Sequence, residues 1–552
     1  MKITGICRLN KGKSAARKIA ALFFTLVMVC AAVHAQSFSN PILPGFYPDP
    51  SVCRVDSDYY MVNSSFCYYP GVPIHHSRDL VHWTQIGYCL TTETQANLKD
   101  VNFWGGIYAP TIRYHEGTFY MVTTNVSSRG NFIVYTDDPA GQWSEPVWLE
   151  QGGIDPSLYF EDGHCYLVSN PNVGIWLCEI NPKTGEQLTP SKLIWRGTGG
   201  RHPEAPHIYH KDGYYYLLIA EGGTEYGHKV TIARSENIDG PYEPNPSNPI
   251  LTHIGRNAQY HPVQGTGHAD LFSAVDGSWW LVCLGFRPQS YSHHLLGRET
   301  FLAPVRWDEG AWPIVNGNGT LPMSIDIADA VSADVSVGES SSVSSDTSFD
   351  GCLGLEWNYV SYPRWECYST DARKGYLRIT SANVGIESSD SPALVCRRQQ
   401  HINFVAETEL DFSRLKEGGE AGVAVYMSTD YHYRLGVALE DGEYKVRLTY
   451  RLGMLEHAEC GHPLAGKDAA AFGGGALLSV ILRVEGTADA YTFLWSEDGG
   501  VSYEKISSMD SRFLSSETAG GFTGAFLALY SQCLSGAGSV ADFSHFDYIP
   551  TE

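Results

Sequence analysis

The hydrophobic pattern of the N-terminal half repeats. Five times in the first 290 residues, a polar or small residue, usually next to proline, precedes an apolar pair, a turn with Asp or Gly, and an aromatic-rich apolar run. Each segment predicts the innermost strands of a β-structure. The segments are DPSVCRVDSDYYMV from Asp49, APTIRYHEGTFYMV from Ala109, DPSLYFEDGHCYLV from Asp155, EAPHIYHKDGYYYLLI from Glu204 and HADLFSAVDGSWWLV from His268.

The spacing of these segments favours a β-propeller. Successive segments begin about 46 to 64 residues apart, in the range of propeller blades of roughly 40–50 residues with insertions. Stretches such as TDDPAGQWSEPVWL and ARSENIDGPYEP follow the inner strands and supply a turn and an aromatic residue, as the outer hairpin of a blade requires. We therefore expect five blades.

The C-terminal half has a different pattern. Segments such as FVAETELDF, YRLGVALE, LSVILRVEG and YTFLWSEDG alternate apolar and polar residues between Gly/Asp turns, which is typical of an antiparallel β-sandwich. Between the halves lies a small, polar segment poor in aromatic residues, a predicted connector. No amphipathic helix of a dozen residues follows the leader, so the predicted class is all-β. The predicted units are a signal peptide 1–35, a propeller 36–327, a linker 328–348 and a sandwich 349–552.

The N-terminal segment resembles an export signal. Six basic residues precede an apolar run from Ile19 to Ala32, and Val33–Ala35 supplies small residues before a cleavage point at Gln36. The run is too short to favour a membrane span. We expect an exported protein, periplasmic or extracellular.

The net charge of −23, which becomes more negative when the leader is removed, disfavours nucleic acid and anionic membranes as partners.

Three carboxyl groups stand at equivalent places in the repeat. Pseudo-rotation brings equivalent blade positions to one end of the channel, so Asp49, Asp155, Glu204 and His268 should converge. An isolated Asp-Pro usually opens a turn, and it is the repetition that favours a functional interpretation. Two carboxyl groups suffice for glycoside hydrolysis, and a third can keep the acid protonated. The same constellation is compatible with a divalent cation.

Other candidate residues are weaker, because each has a simple structural explanation. His268 suits positioning of the base or binding of a central cation through waters better than direct catalysis. Arg298 follows the fifth segment and would supply a fixed cation and hydrogen-bond donor to a sugar. The aromatic residues between blades could stack on a sugar ring or merely pack. They are Phe66, Trp104 and Tyr108.

These motifs together resemble glycoside hydrolase family 43. The resemblance rests on YPDPSV, GGIDPSL, RHPEAPHIY, GTGHADLF and LGRET, in this order, with HSRDLVHW and GPYEPNPSNPIL in support. It continues into QQHINFVAETELDF and the terminal TGAFLALYSQ…GSVADFSHFDYI, which are similar to the concanavalin-like jelly-roll domain of the β-xylosidase branch. Nearly the whole mature chain is covered.

The resemblance implies a five-bladed, inverting hydrolase. Asp49 matches the general base, Glu204 the general acid, and Asp155 the residue that raises the pKa of the acid and orients it. Arg298 and His268 match the substrate-binding Arg and the central His. No cofactor is required, and a structural calcium ion at the propeller centre stays open. One position departs from the family: many β-xylosidases have GGVWAPH where this chain has GGIYAPT, with Tyr108 in place of Trp.

The sequence thus predicts an exo-acting β-1,4-xylosidase on xylo-oligosaccharides, with arabinofuranosidase activity as a second capacity of the same pocket. An α-L-arabinofuranosidase that removes side chains from xylan or arabinan is the alternative. A non-catalytic carbohydrate-binding propeller would have lost at least one carboxyl group, and all three are present. A fructan-cleaving enzyme is disfavoured by the EAPH segment and by the C-terminal domain. The oligomeric state is not predicted.

Overall fold

The computed structural model describes residues 37–289, 292–326, 345–459, 461–468, 478–536 and 538–551. The predicted leader 1–35 and most of the predicted linker lie outside these residues. In the part of the chain that is described, no helix is long and apolar enough to cross a membrane.

The N-terminal part of the described chain forms five antiparallel sheets, one for each repeated segment. We call these sheets blades 1 to 5. Blade 1 contains Ser51–Val55, Asp58–Val62, Gly71–Ser77 and Thr84–Leu90, and blade 2 contains Thr111–His115, Thr118–Asn125, Gly130–Thr136 and Val147–Trp148. Blade 3 contains Ile154–Glu161, His164–Asn172, Gly174–Glu179 and Lys192–Trp195, and blade 4 contains Glu204–Lys211, Tyr214–Glu221, Lys229–Ser235, Glu243–Pro244 and Leu251–Thr252. Blade 5 contains Gln264–Ser273, Trp279–Phe286, Glu299–Arg306 and Ile314–Val315.

The blades close into a ring. The first strands of consecutive blades contact one another in turn, and the first strand of blade 5 contacts that of blade 1. Buried apolar side chains fill the space between each pair of neighbours, and the cluster between blades 5 and 1 includes Met61, Trp280 and Leu302. A two-stranded sheet of Ser37–Ser39 and Ser324–Asp326 joins the two ends of the ring. The predicted five-bladed propeller is confirmed.

A buried polar network ties the inner strands together. Asp270 of blade 5 accepts hydrogen bonds from the Ser51 hydroxyl of blade 1 at 2.7 Å and from the Tyr209 hydroxyl of blade 4 at 2.7 Å. It also pairs with the Arg113 guanidinium of blade 2 at 2.9 Å. Arg113 donates in turn to His207 Nδ1 at 2.8 Å. Four of the five blades thus share one charge pair, which stabilises the ring against opening.

The C-terminal part folds into two sheets packed face to face. The first sheet contains Ser345–Ser348, Tyr368–Ser369, Leu377–Thr380, Phe404–Asp411, Ser479–Gly486, Ala490–Ser496, Glu504–Asp510, Val540–Phe543 and His545–Pro550. The second contains Asn358–Val360, Leu394–Arg398, Gly419–Ser428, Tyr431–Glu440, Glu443–Leu452, Leu455–Ala458, His462–Asp468 and Phe526–Cys533.

The alternation along these strands explains the sandwich. Side chains such as Val423, Leu435 and Leu482 face the partner sheet and are fully buried in a single core. Short helical turns Trp365–Cys367, Ser511–Leu514 and Ser516–Ala519 connect strands. The predicted sandwich is confirmed. Its first strand, Ser345–Ser348, pairs with His545–Pro550 and uses the last four residues of the predicted linker.

The two parts share a sheet and a core. The propeller segment Tyr68–Tyr69 pairs with Asn358–Val360 and so extends the second sandwich sheet. The Tyr68 ring stacks on Phe526 at 4.0 Å between centroids. Arg398 of the sandwich donates to the carbonyl oxygen of Phe46 at 2.7 Å. This contact fixes the sandwich beside the end of the propeller at which the three carboxyl groups lie.

Candidate active site

The start of the repeated segments places four side chains in one depression. Asp49 lies just before the first strand of blade 1, Asp155 near the beginning of the first strand of blade 3, and Glu204 at the beginning of that of blade 4. His268 lies within the first strand of blade 5. All four line a pocket of about 130 Å³, which we call the inner pocket. The structure therefore brings together the residues that the repeat predicted to converge.

The backbone at these positions is unusual. Asp49, Asp155 and His268 have φ of 54°, 52° and 46°, and Ala205, directly after Glu204, has φ of 52°. The strand register also shifts beside Asp155, Glu204 and His268. The left-handed region costs a residue with a side chain about 1–3 kcal/mol, and β-bulges redirect side chains. Blades 1, 3, 4 and 5 thus each use a strained bend to turn a side chain into the pocket.

Asp49 is held as a carboxylate. Its carboxyl group pairs with Arg298 Nη1 at 2.9 Å, accepts a hydrogen bond from the Ser64 hydroxyl at 2.5 Å, and lies 3.6 Å from His268 Nδ1. Burial alone would raise the pKa of Asp49, but Arg298, His268 and Ser64 together lower it below its usual value. An ionised, hydrogen-bonded carboxylate is suited to accept a proton from water.

Asp155 is in the opposite electrostatic state. It is buried, and its carboxyl group accepts a hydrogen bond from the backbone N–H of Ala205 at 3.1 Å. Burial and the neighbouring Glu204 and Asp49 carboxyl groups raise the pKa of Asp155 well above its usual value. Because like charges so close together resist simultaneous ionisation, Asp155 retains its proton to higher pH values than Asp49 does.

Glu204 stands where the inner pocket meets a larger cavity. Its side chain is 14% exposed and lines both the inner pocket and an outer cavity of about 450 Å³. The sandwich contributes Ser516, Glu517, Gly521 and Phe522 to that cavity. A molecule that enters from the outer cavity therefore passes Glu204 before it reaches Asp49.

Arg298 connects the carboxylate to the sandwich. Besides Asp49, its guanidinium donates to the Thr224 hydroxyl at 3.1 Å and to the carbonyl oxygen of Phe522 at 3.2 Å. The Phe66 and Phe522 rings lie 5.5 and 5.6 Å from it, within the range of cation–π attraction. This arrangement fixes one face of the inner pocket by contacts that come from both domains.

The predicted aromatic residues separate into two groups. Phe66 and Tyr108 line the inner pocket, with ring centroids 5.0 Å apart. Trp104 does not line it. Its indole packs against Gly521, where an added Cβ would lie only 2.0 Å from Nε1, and it faces a separate depression. Trp104 therefore supports the wall behind Phe522, and its contact with a sugar stays a prediction.

Two contributing residues were not predicted. Phe522 completes the inner pocket, but it lies in the second domain, more than 220 residues from Arg298, and no local motif marks it. Glu221 is fully buried in blade 4. It accepts hydrogen bonds from the backbone N–H groups of Thr198 and Gly200 at 2.9 and 3.0 Å, and from the Thr231 hydroxyl at 2.8 Å. Glu221 thereby holds the loop that leads to Glu204. In the sequence, only the acidic residue at the strand end AEGG could have indicated this role.

The described residues contain no group of three His, Cys, Asp or Glu side chains arranged to hold a metal ion. His268 points towards Asp49, and the polar network that includes Arg113, Asp270 and His207 lies next along the inner strands. The positive charge that the protein itself supplies here comes from Arg113 and Arg298. A calcium ion bound by His268 through waters stays a prediction.

Comparison with known proteins gives the same picture for both domains. The family model "Glycosyl hydrolases family 43" matches residues 38–313, and "Beta xylosidase C-terminal Concanavalin A-like domain" matches residues 347–549. The chain is 37% identical over 96% of its length to the non-reducing end alpha-L-arabinofuranosidase BoGH43B of Bacteroides ovatus, of which it covers 98%. It is 41% identical over 75% of its length to a xylosidase/arabinosidase of Butyrivibrio fibrisolvens, with 82% of that protein covered. A solved structure of Bacteroides ovatus Xyloglucan PUL GH43B superposes with a TM-score of 0.86 at 38% identity, over 94% of this chain and 100% of that one.

The opposite charge states of Asp155 and Asp49 predict opposite effects on stability. A carboxyl group whose pKa is raised on folding destabilises the folded state increasingly as the pH rises above its unfolded value, 3.8 here. Asp155→Asn should therefore raise the midpoint of thermal unfolding at pH 8 and have a smaller effect at pH 4. Asp49→Asn should lower the midpoint at pH 8, because a carboxylate with a lowered pKa stabilises the fold there and Arg298 loses its partner.

Differential scanning calorimetry of both variants and the unsubstituted protein at the two pH values checks this pair of effects. A lower midpoint for Asp155→Asn at both pH values would show that its carboxyl group stabilises the fold and would contradict the assignment of charge.

Proposed function

Since this chain belongs to glycosyl hydrolase family 43, we propose that it is an inverting exo-glycosidase that releases terminal xylose from β-1,4-xylo-oligosaccharides. The observation that carries the proposal is the convergence of three carboxyl groups, from blades 1, 3 and 4, on one small pocket. Asp49 has a lowered pKa and is suited to act as the base, and Glu204 lies where the inner pocket meets the outer cavity, in reach of a leaving oxygen. Hydrolysis of a glycosidic bond with inversion needs such a base and such an acid at the same time.

The proposed reaction is a single displacement. Asp49 takes a proton from a water molecule while the oxygen of that water attacks the anomeric carbon. The bond from the anomeric carbon to the leaving oxygen breaks. Glu204 gives its proton to the leaving oxygen. Asp155 accepts a hydrogen bond from the backbone N–H of Ala205, directly after Glu204, and so helps to orient Glu204. Arg298 fixes Asp49 and can donate to a sugar hydroxyl.

The shape of the site supports action at a chain end. The inner pocket, about 130 Å³, has less than a third of the volume of the outer cavity, about 450 Å³. Phe522 and Arg298 belong to the walls of both. We propose that a single terminal sugar occupies the inner pocket, and that the remainder of the oligosaccharide lies in the outer cavity beyond Glu204.

A second candidate is an α-L-arabinofuranosidase. Tyr108 lines the inner pocket where many β-xylosidases have Trp, and its hydroxyl is engaged with the carbonyl oxygen of Trp104 at 3.0 Å. The Bacteroides ovatus relative is named for that activity, and the Butyrivibrio relative for both. A smaller aromatic wall favours a differently shaped terminal sugar, so the arabinofuranose of a side chain is the alternative occupant.

We also propose that the protein is exported before it acts. The basic and apolar leader that ends at Ala35 supports export, and a substrate derived from a plant polysaccharide would be met outside the cytoplasm. The exported protein should begin at Gln36, and N-terminal sequencing of material from the periplasm or the medium checks this.

The product of hydrolysis distinguishes the two candidates. The mature protein is expected to release xylose one unit at a time from xylohexaose, and Asp49→Ala should abolish the release. Chromatography of the products from xylohexaose and from arabino-oligosaccharides provides the measurement. Arabinose as the only product would replace the first candidate by the second. No release from either substrate would contradict both and favour a non-catalytic carbohydrate-binding protein.

Glu204→Ala should discriminate between leaving groups. A xylo-oligosaccharide needs a proton on its leaving oxygen, whereas an activated aryl glycoside does not, and a general acid contributes roughly 10²–10⁴-fold. The variant should therefore lose about 100-fold or more of its kcat/KM on xylobiose and far less on 2,4-dinitrophenyl β-xyloside. Equal losses on the two substrates would remove Glu204 from the role of acid.

A further inference from the structure

We propose that His228 is a positioning residue for Glu204: it holds one oxygen of the carboxyl group and favours its proton-bearing form. This inference rests on the proposed role of Glu204 as the acid. It concerns a histidine outside the repeated motifs, which the sequence analysis did not select.

The strand pairing of blade 4 brings the two side chains together. Glu204 pairs with Ala220 of the second strand, and Ala220 pairs with Val230 of the third. His228 comes just before that third strand, Lys229–Ser235, so it lies at the same end of the blade as Glu204. Its Nε2 is 3.6 Å from Glu204 Oε1, and its side chain is 0% exposed.

Blade 5 holds the imidazole ring in this place. The ring lies flat against Gly267, where an added Cβ would be only 2.3 Å from Nδ1 and Cε1. A side chain at this position would displace the ring, so the glycine of the GTGHADLF segment provides its space. His228 Nδ1 lies 3.3 Å from the carbonyl oxygen of Gly265. The ring is therefore wedged between two blades and cannot turn away from Glu204.

The hydrogen bond to Gly265 determines what Nε2 offers. A carbonyl oxygen only accepts, so Nδ1 carries the hydrogen, and Nε2 of the neutral ring presents a lone pair. Nε2 has no hydrogen-bond partner among the described residues. The Nε2–Oε1 distance is too long for a hydrogen bond in the free protein, but contacts of this kind often shorten when substrate binds. A lone pair aimed at Glu204 favours a carboxyl group that still carries its proton.

His228 lies among the ionisable groups of the active site. The ionisable groups near its ring are Glu204, Asp49 and His268. By contrast His253, also buried and also in the propeller, uses both ring nitrogens: Nδ1 donates to the carbonyl oxygen of Val263 at 2.6 Å, and Nε2 accepts from the backbone N–H of Leu321 at 2.9 Å. His253 therefore serves as a matched structural control.

The experiment compares His228→Leu, His228→Gln and the control His253→Leu. For each, kcat/KM is measured from pH 4 to pH 9 on xylobiose and on 2,4-dinitrophenyl β-xyloside, or on the arabinosides if arabinose is the product. His228→Leu should lose about 10–100-fold on the disaccharide, a part of the contribution of a general acid, and less than about threefold on the aryl glycoside. The alkaline limb of its disaccharide profile should move to lower pH, since Glu204 gives up its proton more readily. His228→Gln should recover part of the loss.

Each outcome of this experiment either supports or contradicts the proposed role of His228. Equal losses on the two substrates, as expected for His253→Leu if it lowers activity at all, would reduce His228 to a packing role. A shift of the alkaline limb to higher pH would mean that the ring is cationic and would overturn the inference. If His228→Leu does not fold, His228→Gln carries the same comparison. If Glu204→Ala itself shows no discrimination between leaving groups, the proposed function of Glu204 fails first, and the role of His228 fails with it.

Discussion

The ion pair between Arg113 and Asp270 is the contact on which the geometry of the site depends. It joins blades 2 and 5 at 2.9 Å, and Ser51, Tyr209 and His207 attach blades 1 and 4 to it. Burial alone would raise the pKa of Asp270, but the Arg113 guanidinium lowers it, so the pair stays charged. Since a buried charge that loses its partner is strongly destabilising, the inner strands can hardly move apart without breaking the fold. Because these strands are fixed, the distances between the functional side chains at their ends are fixed as well.

The ring of blades brings three carboxyl groups close together. The residues around them shift the pKa values of Asp49 and Asp155 in opposite directions. Arg298 and Ser64 lower the pKa of Asp49, whereas burial and the neighbouring Glu204 and Asp49 carboxyl groups raise the pKa of Asp155. The sandwich takes part in this division because the Phe522 carbonyl orients Arg298 and the Phe522 ring closes the pocket. The second domain is thus a part of the site. The strained φ angles of Asp49, Asp155 and His268 are consistent with a site that sacrifices stability for placement.

Much of this arrangement could be predicted from the sequence, because a propeller repeats. Each repeated segment forms the inner strands of one blade, and equivalent positions of the blades lie at the same end of the channel. The position of Asp49 in its segment therefore predicts where Asp155, Glu204 and His268 lie. The prediction fails where contacts depend on partners far apart in the chain. Phe522 reaches the pocket only because Tyr68–Tyr69 joins a sandwich sheet, and Trp104 is turned to Gly521 by the same docking. Neither periodicity nor motif spacing carries information on how two domains pack.

In the proposed reaction, Asp49 and Glu204, fixed on different blades, cleave the glycosidic bond in a single displacement. Proton NMR of the sugar released in the first minutes of hydrolysis, before mutarotation, distinguishes a single from a double displacement. A β-xyloside should yield α-xylose first, with the β-anomer appearing only later. Initial formation of β-xylose would show a covalent intermediate and a double displacement, and would contradict the roles assigned to Asp49 and Glu204.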